Sequence, residues 1–245
     1  MAKKRFSVLD SIRGTVLVSM ILYHATWNFV YIYGMDWSWY RSTAAYLWQQ
    51  SICWTFILLS GFCIFLGKRH VRNGIMVFAS GAIVTLVTLL AMPQNRVVFG
   101  VLTCIGSCIL LVAAMEKILK KVPPVMGMAC CFFLFLVTKN INAGYIGFRE
   151  VLSFSVSKNW YANYVTTYLG FPFGKFYSTD YFSLFPWLFL FLTGVFLWGI
   201  FEKKQWWDNS LLQIKIPFVN FLGRHSLLIY LLHQPIIYAL QEILM

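Results

Sequence analysis

SIRGTVLVSMILYHATWNFVYIYG, residues 11–34, is long and apolar enough to cross a bilayer, whose hydrocarbon core takes about 20 residues as a helix. Yet it carries Arg13, His24 and Asn28. At about 100° and 1.5 Å per residue, Arg13 and His24 fall about 20° apart on one helix face and about 16 Å apart along the axis. Asn28 follows one turn later, and Tyr31 continues the stripe. A titratable group at mid-bilayer costs about 2.5–3.5 kcal/mol or more. The stripe must therefore face protein or a water-filled cavity, and it marks the first of several membrane helices.

The rest of the chain agrees. Its 245 residues are 60% hydrophobic, 19% aromatic and 11% charged, against roughly 25% charged residues in a soluble domain. That balance excludes a soluble enzyme, a disordered chain and a disulfide scaffold. The expected fold is an all-α polytopic bundle, one integral-membrane domain over 1–245, with seven spans. These are Ser11–Gly34, Ala45–Leu66, Gly74–Met92, Val97–Met115, the short Val125–Val137, Leu184–Phe201 and Ile216–Leu240. The basic start Lys3-Lys4-Arg5 is not read as a signal peptide, because the apolar run after it contains His24, Trp27 and Asn28 and no small-residue cleavage site. Ser7-Val8-Leu9-Asp10 reads as a capping box that opens the first helix.

The net charge of +12 would suggest nucleic acid in a soluble protein. Here the basic residues follow the loops instead. With the N-terminus cytoplasmic, the inner side holds Lys3, Lys4, Arg5, Lys68, Arg69, Arg72, Lys117, Lys120, Lys121, Lys203, Lys204 and Lys215. The outer side holds only Arg41, Arg96, Lys139, Arg149, Lys158 and Lys175. This asymmetry sets topology and excludes nucleic acid as the partner. The short single-domain layout suits a bacterial inner (plasma) membrane. Residues 138–183 form the longest irregular stretch. Their aromatics, Gly and Asn suggest a folded outer cap, partly set at the interface.

Few groups remain to carry chemistry. In the last span Ser226, Tyr230 and His233 share a face at i, i+4 and i+7, as a proton path or as interhelical glue. Arg224 and His225 precede them after Gly223, a natural break. Asp10 lies one turn before Arg13, as capping acid or as catalytic group. Arg96 opens the fourth span, either as an anion ligand or as an interfacial arginine. Asp180 precedes the sixth span, either as its N-cap or as a cap carboxylate near a catalytic histidine. The six cysteines (Cys53, Cys63, Cys104, Cys108, Cys130, Cys131) lack metal or redox spacing, so neither disulfide nor metal is expected. No Gly-rich phosphate loop, HExxH or Gly-x-Ser-x-Gly elbow occurs.

Arg5-Phe6-Ser7-Val8-Leu9-Asp10-Ser11-Ile12-Arg13-Gly14 reads R-x-x-x-L-D-x-x-R-G, with His24 eleven residues after Arg13. Residues 223–233 read G-R-x-S-L-x-x-Y-x-x-H. Together they resemble membrane-bound acyltransferases, most nearly the bacterial relatives of the heparan-alpha-glucosaminide N-acetyltransferase catalytic domain. Arg96-Val97-Val98-Phe99-Gly100-Val101-Leu102 is similar to that group's R-x-x-G-V-L segment. The resemblance implies transfer of an acetyl or other acyl group from cytoplasmic acetyl-CoA (acyl-CoA) to an amine or hydroxyl of an outer sugar or glycan.

By the same resemblance, Arg13 and His24 correspond to functional first-helix positions. Read with the polar residues above, the catalytic candidates are His24, Asp10, His233 and Tyr230, those for the CoA anion are Arg13, Arg224 and Arg96, and those for the acceptor are Asn28 and Asp180. The lysosomal enzyme of that group carries its active histidine after the first helix, where Met35-Asp36-Trp37 has none. Three readings then stand: His24 takes that role, the chemistry differs, or the chain is not catalytic. The expected partners are acyl-CoA, the glycan acceptor and the bilayer, with a homo-oligomer left open. The alternative function is a transporter of a small or lipid-linked solute, with His24 and His233 as proton relay.

Overall fold

The computed structural model describes residues 6–148, 151–206 and 210–244. Lys3, Lys4, Arg5 and Arg149 of the expected basic set lie outside the described residues. The chain divides into two compact units, Met1–Leu59 with Gln205–Met245, and Ser60–Lys204.

The first unit begins with α1 (Ser7–Tyr31). Its buried face runs Ser7, Asp10, Ser11, Gly14, Leu17, Met20 and Asn28, the spacing of a single helical stripe. Phe6 is the N-cap residue, so Ser7 lies inside the helix and the expected capping box does not form. Ser7 cannot cap a turn of which it is the first member. Gly34, at φ +70°, takes the left-handed turn that follows the helix. After α2 (Thr43–Cys63) leaves the unit, the chain returns as α8 (Pro217–Arg224) and α9 (Ser226–Leu244). The expected single last span is thus two helices. The break falls at His225, whose backbone N–H folds back onto Phe221 and Leu222.

Both return helices pack on α1. At two points α1 and α8 approach backbone to backbone. A Cβ on Gly14 would lie 2.0 Å from the Val219 carbonyl oxygen, and one on Gly223 would lie 1.9 Å from that of Asp10. Asn220 fills the remaining gap. Its Nδ2 donates to the Ser7 carbonyl at 2.6 Å, and its Oδ1 accepts from Ser11 Oγ at 3.3 Å.

The second unit holds α3 (His70–Ala91) packed along α4 (Val101–Leu119), and α5 (Pro124–Thr138) along α7 (Leu184–Lys203). Pro124 stands in the first turn of α5, where its missing N–H costs nothing. Between α5 and α7 the cap contains β1 (Tyr145–Phe148) and β2 (Leu152–Ser155), an antiparallel hairpin, and the short α6 (Tyr164–Leu169). Asn163 starts α6 with a capping box shared with Thr166. The cap is folded on its own aromatics: Tyr164, Phe173, Phe176 and Tyr181 stack edge to face. Asn142 Nδ2 ties the two ends together, donating to the Gly170 carbonyl and to Ser183 Oγ, both at 3.0 Å. Burial pushes the Tyr181 hydroxyl up from its ordinary value, which keeps it a donor to the Thr167 carbonyl.

Among the described residues six helices are long and apolar enough to cross a membrane: Thr43–Leu66, His70–Ala91, Val101–Leu119, Pro124–Ala143, Leu184–Lys203 and Ser226–Leu244. The short fifth span is present, its apolar stretch carried on past α5 to Ala143. At 25 residues, α1 is long enough as well, but its polar stripe lowers its hydropathy. The protein is a multi-pass helical membrane protein.

Gly223→Ala is expected to lower stability by about 1–3 kcal/mol or more, because a methyl there meets a backbone oxygen that no rotamer change can move. The measurement is thermal unfolding of the detergent-solubilised protein. An unchanged Tm would mean that α1 and α8 sit farther apart than described.

Candidate active site

The two end motifs, some 210 positions apart in sequence, meet in the first unit. Asp10 is buried on α1. Its Oδ1 lies 3.8 Å from Arg13 Nη1 one turn along the same helix, and its Oδ2 lies 3.5 Å from Arg224 Nε at the end of α8. A cation at that position is also favoured by the C-terminal end of the α8 dipole. One carboxylate between two guanidiniums leaves a net positive charge. The side chains of Arg13 and Arg224 remain 24% and 45% exposed, so both still reach solvent.

Farther along α1, His24 meets His233 of α9, with ring centroids 4.9 Å apart and planes at 61°. His233 Nδ1 is hydrogen-bonded to the Tyr230 carbonyl. A carbonyl only accepts, so Nδ1 carries the proton and Nε2 is left as a lone pair. That Nε2 is buried and has no hydrogen-bond partner. The Tyr230 ring lies 5.2 Å from His233, and it packs on the buried cluster of Leu17, Met20 and Ile52. The Pro235 ring inside α9 removes the N–H that would bond the Leu231 carbonyl, which loosens the helix beside the histidines.

One turn beyond His24 the chemistry changes. Asn28 is fully buried. Its Nδ2 donates to Gln241 Oε1 at 2.8 Å, and its Oδ1 accepts from Gln234 Nε2 at 2.7 Å. Gln241 Nε2 continues to the Ala25 carbonyl at 3.0 Å. Each end of the Asn28 amide makes one bond that holds α9 on α1. Gln234 and Gln241 were not singled out from sequence. Their signal was present, since two glutamines seven apart in an apolar span share a face. Tyr31 ends the stripe in an exposed position.

The other expected residues belong to the second unit. Arg96 Nε donates to the Tyr177 carbonyl at 3.2 Å, and the guanidinium lies 5.4 Å from the centre of the Tyr177 ring. Asp180 Oδ2 accepts from the Val101 N–H at 3.3 Å. It therefore caps α4, not α7, whose N-cap is Ser183. Together with the bonds from Thr179 N to the Arg96 carbonyl and from Phe182 N to the Phe99 carbonyl, these contacts strap 178–182 onto 96–101. The expected fourth-span arginine and cap carboxylate thus lie in one seam. No cluster of three metal-ligating side chains occurs among the described residues.

A family model described as "Heparan-alpha-glucosaminide N-acetyltransferase, catalytic" matches residues 5–235. No curated protein and no solved structure matches the chain.

Asn28→Leu is expected to strand two buried glutamines, at about 1–3 kcal/mol for each group left unpaired. The Asn28→Leu/Gln241→Leu double variant should recover part of that loss. A thermal-unfolding double-mutant cycle with no coupling would dissolve the bridge.

Proposed function

The chain belongs to the heparan-alpha-glucosaminide N-acetyltransferase catalytic family, and from that membership we propose a membrane enzyme that moves an acetyl group from acetyl-CoA, bound at the cytoplasmic side, to an amine or hydroxyl of an extracytoplasmic sugar or glycan. The observation that carries this reading is the buried His24–His233 pair with its unpartnered Nε2. An ionisable side chain inside a membrane span is costly and marks a functional site by default.

The N-terminus is then cytoplasmic. Arg13 and Arg224, both partly exposed, would hold CoA phosphates, and the thioester would lie along the α1 face toward His24. The acceptor nitrogen or oxygen attacks the thioester carbonyl and gives its proton to His24. The C–S bond breaks, and CoA departs as thiolate. In its present tautomer His233 accepts rather than donates, so it would draw the proton onward from His24. The hydroxyl of Tyr230 would donate to the developing oxyanion. Arg96 and Asp180 would act by holding the α4 start. No metal enters this scheme.

Asp10 is best read as the group that spaces the two arginines. It would not touch the acyl group.

The test is the purified protein in nanodiscs with radiolabelled acetyl-CoA and glucosamine-terminated acceptors. Acetylated product and released CoA are expected from the wild type, with a fall of about 10²–10⁴-fold in His24→Ala, the usual weight of a general base. Arg224→Ala is expected to raise KM for acetyl-CoA more than it lowers kcat. Equal background transfer from wild type and His24→Ala would sink the proposal. Proton-driven solute uptake lost in His233→Ala would replace it with a transporter.

A further inference from the structure

The cap hairpin has one face unlike the rest of the cap. In the β1–β2 register, Ile146 pairs with Phe154 and Phe148 with Leu152. Cross-strand partners point to the same side of a ribbon, and residues two apart on a strand do too. All four side chains therefore share one face, and the other carries Tyr145, Gly147, Ser153 and Ser155. The apolar face is largely open, with Ile146 half-buried: Leu152 is 61% and Phe154 64% exposed, and Val151 beside the turn is 86% exposed. A two-stranded ribbon is marginal in water, and this one would show water its worst side.

Three features identify what covers it. β1 packs against α5, whose Phe132, Phe133 and Leu134 are themselves exposed in the lipid-crossing stretch. The hairpin thus adjoins a helix that bears exposed apolar side chains in a membrane-crossing stretch. Lys139, Lys158 and Trp160 flank the ribbon and are exposed, the residues that favour the headgroup level. In sequence, Lys139, Arg149 and Lys158 are opposed between 138 and 179 by the single acid Glu150, apart from the further basic Lys175.

We propose that the β1–β2 hairpin is an interfacial anchor, its Ile146, Phe148, Leu152 and Phe154 face seated at the headgroup–acyl boundary of the bilayer. Depth follows from the backbone. The described sheet has only two strands, so each keeps an unpaired edge that hydrated headgroups can satisfy and the hydrocarbon core cannot. The flanking lysines then reach lipid phosphates, and the anchor fixes the cap against the membrane.

The experiment places photoreactive benzoylphenylalanine singly at positions 152, 153, 154 and 155 of the full chain, in nanodiscs of phosphatidylcholine and phosphatidylglycerol. All four positions are exposed, and elution volume checks that each variant folds. After irradiation, mass spectrometry should find phospholipid adducts at 152 and 154, and several-fold fewer at 153 and 155. Adduct yields should rise with the anionic lipid fraction. Equal yields at all four positions, or no lipid adduct at 152 and 154, would overturn the anchor. So would crosslinks between two copies of the chain at 152 and 154, which would make the face a dimer contact.

Discussion

Backbone contact between α1 and α8, permitted by Gly14 and Gly223, is the constraint on which the site depends. With carbonyl oxygens at those positions, neither helix can carry a side chain there. Close approach lets Asn220 bond across to Ser7 and Ser11, and it carries Arg224 to the Asp10 carboxylate. The break at His225 then redirects the chain into α9. With α8 fixed, α9 lays its own polar face along α1. The His24–His233 contact is the consequence of a packing decision made one helix earlier.

Polar groups along that interface fall into two kinds. The Asn28, Gln234 and Gln241 amides bond one another across the helices. Such bonds average about 0.6 kcal/mol in a bilayer and reach about 1–2, so several together hold α9 in register. His233 is different: its ring is held at Nδ1 and open at Nε2. The amide cluster, in which Gln234 Oε1 is itself buried without a hydrogen-bond partner, holds α9 beside an imidazole bonded at one nitrogen. Rigid support next to an unsatisfied atom is the arrangement a chemical site needs.

How much of this was legible depended on whether the information lies within a helix or between helices. Hydropathy and basic loops located the spans, and the 3.6 period placed Arg13, His24 and Asn28 on one face of α1, Tyr230 and His233 on one face of α9. Period says nothing about which foreign face a stripe meets. Asp10 with Arg224, and Asn28 with Gln241, are contacts between residues more than 200 positions apart, so the sequence showed Asn28 as a candidate acceptor ligand without the bonds its amide makes across the helices. Caps misled for a related reason. Ser7 and Asp180 have cap chemistry, but a cap is defined by the turn it reaches. Ser7 lies inside α1, and Asp180 reaches α4 because 178–182 folds back on 96–101.

The Asp10 triad shows why a charge cluster need not be read as stability. Partly exposed ion pairs contribute about 0.2–1 kcal/mol each, and burying the carboxylate takes much of that back. What the triad does supply is geometry. Without Asp10, Arg13 and Arg224 would repel and turn outward. With it, both guanidiniums are held toward one point, and both side chains stay partly exposed. In the proposed reading, a CoA phosphate would meet these two pre-oriented donors beside the Asp10 carboxylate. Under the proposed function, a CoA phosphate held there would sit at the Arg13 end of a helix face whose other end is His24, and the stripe on α1 would set the direction of the thioester.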